Sequence, residues 1–222
     1  MKNKLYDIFH RLVAHFGPLH WWPAETPFEV VIGAFLTQNT AWRNVEQAIA
    51  NLRQASALDP ASLLALPRCR LESLIRPAGF FRQKAENLQL FTEILCSRYG
   101  GDLAAMLDGD LAGVRGSLLS LRGVGPETAD AILLYAGKRP SFVVDAYTRR
   151  LFTRLGLLKG GEGYEAIRAH FMDNLPHEVD LFNEYHALIV EECKTFCRKG
   201  APSCAPCPLL ASCPYGQSAV AL

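Results

Sequence analysis

The sequence predicts an all-α fold. Apolar residues recur at a spacing near 3.6 along almost every periodic segment, and no run alternates apolar and polar residues as a strand would. Half of the 222 residues are hydrophobic, enough to bury a sizeable core. No Gly/Ser linker, internal repeat or low-complexity tract interrupts the chain. The first helix follows from "MKNKLYDIFHRLVAHFG", with Leu5, Ile8, Phe9, Leu12, Val13 and Phe16 at helical spacing. "TPFEVVIGAFL" opens with Thr26 as N-cap, Pro27 at the first helical position and Glu29 three residues after the cap, a capping box ahead of a buried helix. "TAWRNVEQAIANL" repeats that logic with Thr40 as cap and Val45, Ala48, Ile49 and Leu52 on one face. Shorter helices are expected at 60–66, 70–76, 82–99, 102–107, 116–121 and 126–137, punctuated by Gly79, Gly100, Gly101, Gly109 and Gly113. After "GKRP" come helices at 145–156, 162–174 and 179–193, then a Cys- and Pro-rich tail with little room for regular structure.

Charge and hydropathy narrow the function classes. Twenty-three Lys and Arg against twenty-two Asp and Glu give a formal charge of +1, so a nucleic-acid surface would have to be local. The N-terminus lacks the continuous apolar stretch of a signal peptide, and the longest apolar run, "VVIGAFL", is too short to span a bilayer. A soluble cytoplasmic protein with no membrane partner is expected. Four of the seven cysteines fall in "CRKGAPSCAPCPLLASC", where Cys197, Cys204, Cys207 and Cys213 are separated by six, two and five residues. Four thiolates suit either a tetrahedral Zn2+ or a [4Fe–4S] cluster, and spacing does not choose between them. Cys193 lies outside this pattern, and Cys69 and Cys96 are expected to pack as small apolar residues.

Two further stretches carry candidate chemistry. In "LRGVGPETADAIL", Gly123 and Gly125 permit backbone angles closed to other residues and let amides approach a ligand, ahead of a helix whose dipole favours an anion. By itself such a turn is better read as a plain helix connection. In "FVVDAYTRRLFTRLG", Asp145 precedes a basic amphipathic helix, where it can serve as N-cap, as a reactive carboxylate, or both.

Taken together, the C-x6-C-x2-C-x5-C tail, the Gly-Val-Gly turn and "VVDAYTRR" resemble the endonuclease III family of DNA glycosylases across residues 25–215. The resemblance implies a two-lobed helix-hairpin-helix fold. Residues 27–137 would form a central bundle, and residues 1–26 with 138–222 a second lobe carrying the cluster loop 197–213, with DNA in the cleft between them. It assigns Cys197, Cys204, Cys207 and Cys213 to a [4Fe–4S] cluster whose loop presents Arg198 and Lys199 to phosphates. Gly123, Val124, Gly125 and Thr128 become the hairpin's DNA contacts. Asp145 becomes the carboxylate that stabilises an oxocarbenium-like sugar and helps activate water, with Arg149, Arg150 and Arg154 as a basic strip beyond it. "GAFLTQNTAWRNV" implies Gln38 as the residue filling the gap left by a flipped base, with a turn residue as its plainer role. "IRPAGFFRQKAENL" implies Phe80 or Phe81 as a wedge in the opposite strand, with Arg82 and Lys84 on phosphates.

Lyase members of the family carry a lysine two residues after the second glycine, where this chain has Glu127. A carboxylate cannot form the imine that strand cleavage needs, so with Asp145 and Glu127 as the catalytic-site carboxylates a monofunctional glycosylase is expected. Trp21, Trp22 and Pro23, with Trp42 across the next turn and Lys194 near the pocket mouth, are the candidate base pocket. Indole faces attract the cationic base of an N3- or N7-alkylated purine, and "WWP", "LTQNTAWRNVE" and "ETADAILLYA" resemble the branch that removes 3-methyladenine. The same tryptophans could instead be core anchors, and Lys194 an ordinary exposed lysine. The expected partner is double-stranded DNA holding a damaged base, bound by a monomer that associates with the nucleoid. The rival readings are an endonuclease III-like glycosylase/lyase acting on oxidised pyrimidines, and a non-catalytic iron–sulfur protein that binds damaged DNA.

Overall fold

The computed structural model describes residues 2–19 and 21–221, with the side chains of residues 2 and 3 left aside. Helix accounts for 65% of the described residues, which contain no strand. No described helix is long and apolar enough to cross a membrane. The chain divides into two compact units, one made of Met1–Trp21 and Pro140–Leu222, the other of Trp22–Arg139.

The unit Trp22–Arg139 is built around α2 (Pro27–Leu36), whose residues from Phe28 to Leu36 are all buried. Its cap forms as the sequence predicts: Glu29 N donates to Thr26 Oγ1 at 3.1 Å. The reciprocal arm of the box reaches one residue further back, where Glu25 N donates to Glu29 Oε2 at 3.2 Å. Arg53 of α3 (Trp42–Gln54) closes on the other Glu29 oxygen at 2.8 Å, so this carboxylate is paired although only 2% exposed. Ala41, not Thr40, is the N-cap of α3, because the Thr40 hydroxyl is engaged with the carbonyls of Ala78 and Gln38. Next come α4 (Pro60–Ala65), α5 (Arg68–Leu74), a 3₁₀ turn at Arg76–Ala78 and the long α6 (Phe81–Tyr99).

After α7 (Leu103–Met106), α8 spans Leu111–Leu119 and so begins five residues earlier than expected from the sequence. Gly113 lies within α8 instead of breaking it: its amide donates to the Asp110 N-cap at 2.8 Å, and a Cβ there would press on that carboxylate at 2.7 Å. Helix α9 (Pro126–Ala131) runs into a π turn over Ile132–Ala136, closed by Gly137 N donating to Ile132 O at 2.9 Å. Arg115 of α8 binds Asp130 of α9 with two parallel bonds of 2.8 and 3.0 Å. Because Asp130 is fully buried, this bidentate pair fixes the angle between the two helices.

The other unit packs α1 (Lys2–Phe16), α10 (Ala146–Arg154), α11 (Tyr164–Met172) and α12 (Val179–Thr195) around an aromatic core. Phe142 stacks on Phe171 with centroids 4.0 Å apart and meets Phe182 edge-on at 5.4 Å. Tyr185, fully buried, satisfies its hydroxyl on Leu5 O at 2.8 Å and so ties α12 to α1. The cysteine-rich tail is more regular than expected, since it ends in α13 (Pro214–Val220). The Cys213 sulfur caps that helix, accepting from Gly216 N at 3.3 Å.

Candidate functional site

The hairpin between α8 and α9 is a tight turn at Leu121–Gly125 with its two glycines in different roles. Gly123 has φ +81°, and a Cβ added there would fall 2.8 Å from Asn87 Cβ and closer still to its amide, so no side chain fits. Gly125, by contrast, has φ −89° and open space around its Cα. The expectation of a special conformation therefore holds at Gly123 alone; at Gly125 the missing side chain leaves the backbone bare to solvent. Val124 is buried, with its amide on Leu121 O at 3.1 Å. Thr128 is 6% exposed, and its hydroxyl accepts from Gln38 Nε2 at 2.9 Å. That placement removes Thr128 from the surface a phosphate could reach. Gln38 also donates to Gly123 O at 3.0 Å, which docks its loop on the hairpin. The loop tip, Asn39, is exposed at φ +52°.

The turn before α6 presents one aromatic ring to solvent. Phe80 follows Gly79 (φ +65°), takes φ +45° itself and is 69% exposed. Phe81 is half-buried, with the guanidinium groups of Arg76 and Arg82 at 5.7 and 5.8 Å from its ring. Of the two phenylalanines, only Phe80 is placed to enter a duplex. Arg82 is exposed, as a phosphate contact requires. Lys84 is not: it is 4% exposed, and its ammonium donates to Leu36 O, Ala78 O and Thr40 Oγ1 at 2.8, 2.8 and 2.7 Å. Burial lowers its pKa to about 8. The phosphate role is corrected to an internal one.

Behind these loops stands an aromatic wall. Trp22 meets Trp42 edge-on at 5.3 Å and lies tilted on Tyr135 at 4.9 Å, with Tyr135 aimed by the π turn. Trp22 also covers Gly33 so closely that a Cβ there would sit 3.0 Å from its ring. Trp42 is oriented by its indole N–H, which donates to Glu46 at 2.9 Å. The five candidate pocket residues thus fall into two groups: Trp22 and Trp42 share this wall with exposed Pro23 beside it, whereas Trp21 belongs to the other unit, with the exposed Lys194 ammonium 5.2 Å from its ring centroid. Glu127 is exposed in the first turn of α9.

In the unit holding α10, Asp145 is both N-cap and buried carboxylate. Its Oδ1 accepts from Thr148 N at 2.7 Å and from Thr148 Oγ1 at 3.0 Å, while Oδ2 lies 3.4 Å from His186 Nε2. Burial alone would raise its pKa, but the hydrogen bond and charge of His186 and the two Thr148 donors outweigh it and hold Asp145 below the usual carboxylate range. A carboxylate kept ionised at a site only 14% exposed can stabilise a developing positive charge more strongly than one in water. Sequence reading missed His186, which sits on α12, with α10 and α11 between it and Asp145 along the chain.

Two of the three arginines beyond Asp145 serve the cysteine loop. Arg150 donates to Cys197 O at 2.7 Å and covers the Tyr147 ring at 5.0 Å, and Arg154 donates to Cys197 Sγ at 3.3 Å and to Arg198 O at 2.9 Å. Both brace the loop, and the expected phosphate role of Arg150 is corrected accordingly. Arg149 donates to Glu162 O at 2.8 Å and stays partly exposed; Arg198 and Lys199 are exposed at the loop's edge. Cys197, Cys204, Cys207 and Cys213 all line one cavity, with Glu192, Phe196, Leu151 and Leu209 among its other walls. Among the described residues no three His, Cys, Asp or Glu are gathered to hold a single metal ion. The Cys197 thiol is brought down to about 6, first by a hydrogen bond from Cys193 against the effect of burial, then by Arg154 and Arg150. Four soft donors around a cavity braced by two guanidinium groups fit an anionic thiolate-bound group. Cys193 is buried beside them, as is Glu192, which accepts from Cys207 Sγ at 3.1 Å. Cys69 is exposed and does not pack as expected.

Comparison with known proteins agrees with the all-helical fold. Residues 32–177 match the description "HhH-GPD superfamily base excision DNA repair protein". The chain is 49% identical over 210 residues to the Methanocaldococcus jannaschii protein named "Putative DNA repair glycosylase MJ1434", covering 94% of this chain and 95% of that one. It is 32% identical over 189 residues to endonuclease III of Thermotoga maritima, with 85% and 83% covered. Among solved structures, a non-covalent endonuclease III–DNA complex superposes with a TM-score of 0.87 at 25% identity, covering 100% of this chain and 99% of that one. The H. pylori 3-methyladenine DNA glycosylase MagIII bound to 1,N6-ethenoadenine superposes with a TM-score of 0.72 at 26% identity, covering 86% and 97%. The chain belongs to the HhH-GPD superfamily of base-excision DNA repair proteins and is a DNA glycosylase.

Proposed function

We propose that this glycosylase hydrolyses the N-glycosidic bond of an alkylated purine such as 3-methyladenine, flipped from double-stranded DNA, without a lyase step. The observation that carries the substrate class is the partly exposed Trp22–Trp42 pair, backed by buried Tyr135, since indole faces attract a base bearing formal positive charge. The likeness to a 3-methyladenine glycosylase supports the same reading. An alkylated purine is already an activated leaving group. When its bond to C1′ breaks, the electron pair neutralises the base, and the positive charge passes to the sugar. Asp145, held ionised by Thr148 and His186, stabilises that oxocarbenium-like sugar; water then adds at C1′ and gives up its proton to the carboxylate or solvent. Exposed Phe80 and the Gln38 loop hold the distorted duplex, and the bare backbone at Gly125, with Arg82, Arg149, Arg198 and Lys199, takes phosphates.

Glu127 carries the monofunctional assignment, since a carboxylate forms no imine with the sugar, and buried Lys84 has its three protons engaged elsewhere. The four cysteines would hold a [4Fe–4S] cluster, which supplies a covalent tie for a loop with few apolar contacts of its own. The protein is read as a monomer on DNA.

The test is base release from duplexes holding 3-methyladenine, 7-methylguanine, oxidised pyrimidines or mismatches. Preference for oxidised pyrimidines would replace the substrate assignment with the endonuclease III-like one, and binding without release would replace it with a damage-binding role. A covalent adduct trapped by borohydride on an abasic duplex would overturn the assignment of no lyase step. Iron and sulfide in the purified protein distinguish a cluster from Zn2+.

A further inference from the structure

We propose that Lys84 is a positioning residue that couples the Gln38 loop to the Phe80 turn, so that the two engage a distorted duplex as one unit. The inference rests on the reading of Gln38 and Phe80 as DNA probes and goes beyond it by naming what joins them. A buried ammonium is costly unless every proton finds an acceptor. Here the three acceptors come from three different places: Leu36 O at the last turn of α2, Thr40 Oγ1 in the loop after Gln38, and Ala78 O two residues before Phe80. The Thr40 hydroxyl then reaches both sides itself, donating to Ala78 O or Gln38 O. From Gln38 the chain of contacts continues to Gly123 O and Thr128 Oγ1 in the hairpin. Lys84 is thus the node at which the two probing loops meet, and Gln38 links that node to the hairpin.

The backbone at both loop tips supports this assignment. Asn39 and Phe80 are non-glycine residues at φ +52° and +45°, conformations that persist only where surrounding contacts over-determine them. Both tips are exposed, so their own side chains do not supply that restraint. The contacts that Lys84 and Thr40 make at Gln38, Thr40 and Ala78 lie within two residues of a tip and can supply it. Without them each loop would still have its probe residue, but the two would relax independently.

The experiment is a double-mutant cycle read as affinity for a duplex carrying a tetrahydrofuran abasic-site analogue, with duplex bending followed by end-to-end energy transfer. Gln38→Ala and Phe80→Ala are combined in three backgrounds: Lys84 intact, Lys84→Met, and Thr40→Val. With Lys84 intact, the double variant should lose less affinity than the product of the single losses, by about tenfold. In the Lys84→Met and Thr40→Val backgrounds that factor should fall toward one, with a smaller bend in each. A residue that only stabilises the fold would lower affinity and leave the factor unchanged, which would overturn the coupling. If Lys84→Met does not fold, Thr40→Val decides by the same criterion. Single substitutions that leave affinity unaltered would remove the probe reading itself, an outcome distinct from single losses that simply multiply in every background.

Discussion

Replacing Gly123 by alanine tests the hairpin at the point where its geometry is most constrained. Two costs can be worked from the structure. Alanine at φ +81° enters the left-handed region at about 1–2 kcal/mol. Its Cβ would also overlap the amide of Asn87, which is only 3% exposed in α6; such overpacking costs about 1–3 kcal/mol. The sum, about 2–5 kcal/mol, is a large part of the stability of an ordinary domain. Urea denaturation of Gly123→Ala should show it, and Asn87→Ala in the same chain should recover the part of the overlap due to the amide, while the Cβ–Cβ contact of 2.8 Å and the backbone cost remain. Gly125→Ala is the contrasting case: at φ −89° with open space around it, alanine should change stability by no more than about 0.5 kcal/mol. Its methyl group would nevertheless stand over the bare backbone proposed to take a phosphate, so affinity for duplex DNA should fall. The reasoning is refuted if Gly123→Ala unfolds at the wild-type denaturant concentration, or if Gly125→Ala destabilises the protein as much as Gly123→Ala.

Three other perturbations bear on the site. Asp145→Asn keeps a good N-cap for α10 but loses the charge proposed to stabilise the sugar, so single-turnover base release should fall by about 10²–10³-fold while binding to lesion DNA persists; unchanged release would remove the mechanism. Lys84 has a pKa of about 8 in the fold against 10.5 as a free side chain, so between those values the unfolded chain binds more protons and stability rises with pH. Thermal scans should show that rise in the wild type and a flatter profile in Lys84→Met. Gly33→Val would push Trp22 off its seat, since even a Cβ lies 3.0 Å from the ring, and should weaken release of alkylated purines more than binding to an abasic duplex; equal losses would argue that Trp22 is only a core anchor.

What could be read from the sequence depended on how local the physics was. Thr26 as a cap, Asp145 at the head of α10 and the need for glycine at 123 are settled within a few residues, and the structure shows all three. Helix α8 was misplaced because Gly113 reads as a breaker until Asp110 is recognised as a cap whose carboxylate occupies the space beside it. Helix α13 was missed because its cap is a sulfur, outside the oxygen-bearing residues that usually signal a helix start. Lys84 failed for a different reason: a lysine beside a loop reads as exposed, and only the fold supplies three oxygens at one point. His186 shows the same limit from the opposite side, since nothing in "NEYHALIV" announces a partner at Asp145. Sequence therefore located the residues proposed to touch DNA and sugar more readily than those holding them in place. Phe80 and Asp145 can be picked out from their own segments, but the contacts under the one, from Lys84 and Thr40 to Ala78, and the partner of the other, His186, are connected to them by no spacing rule.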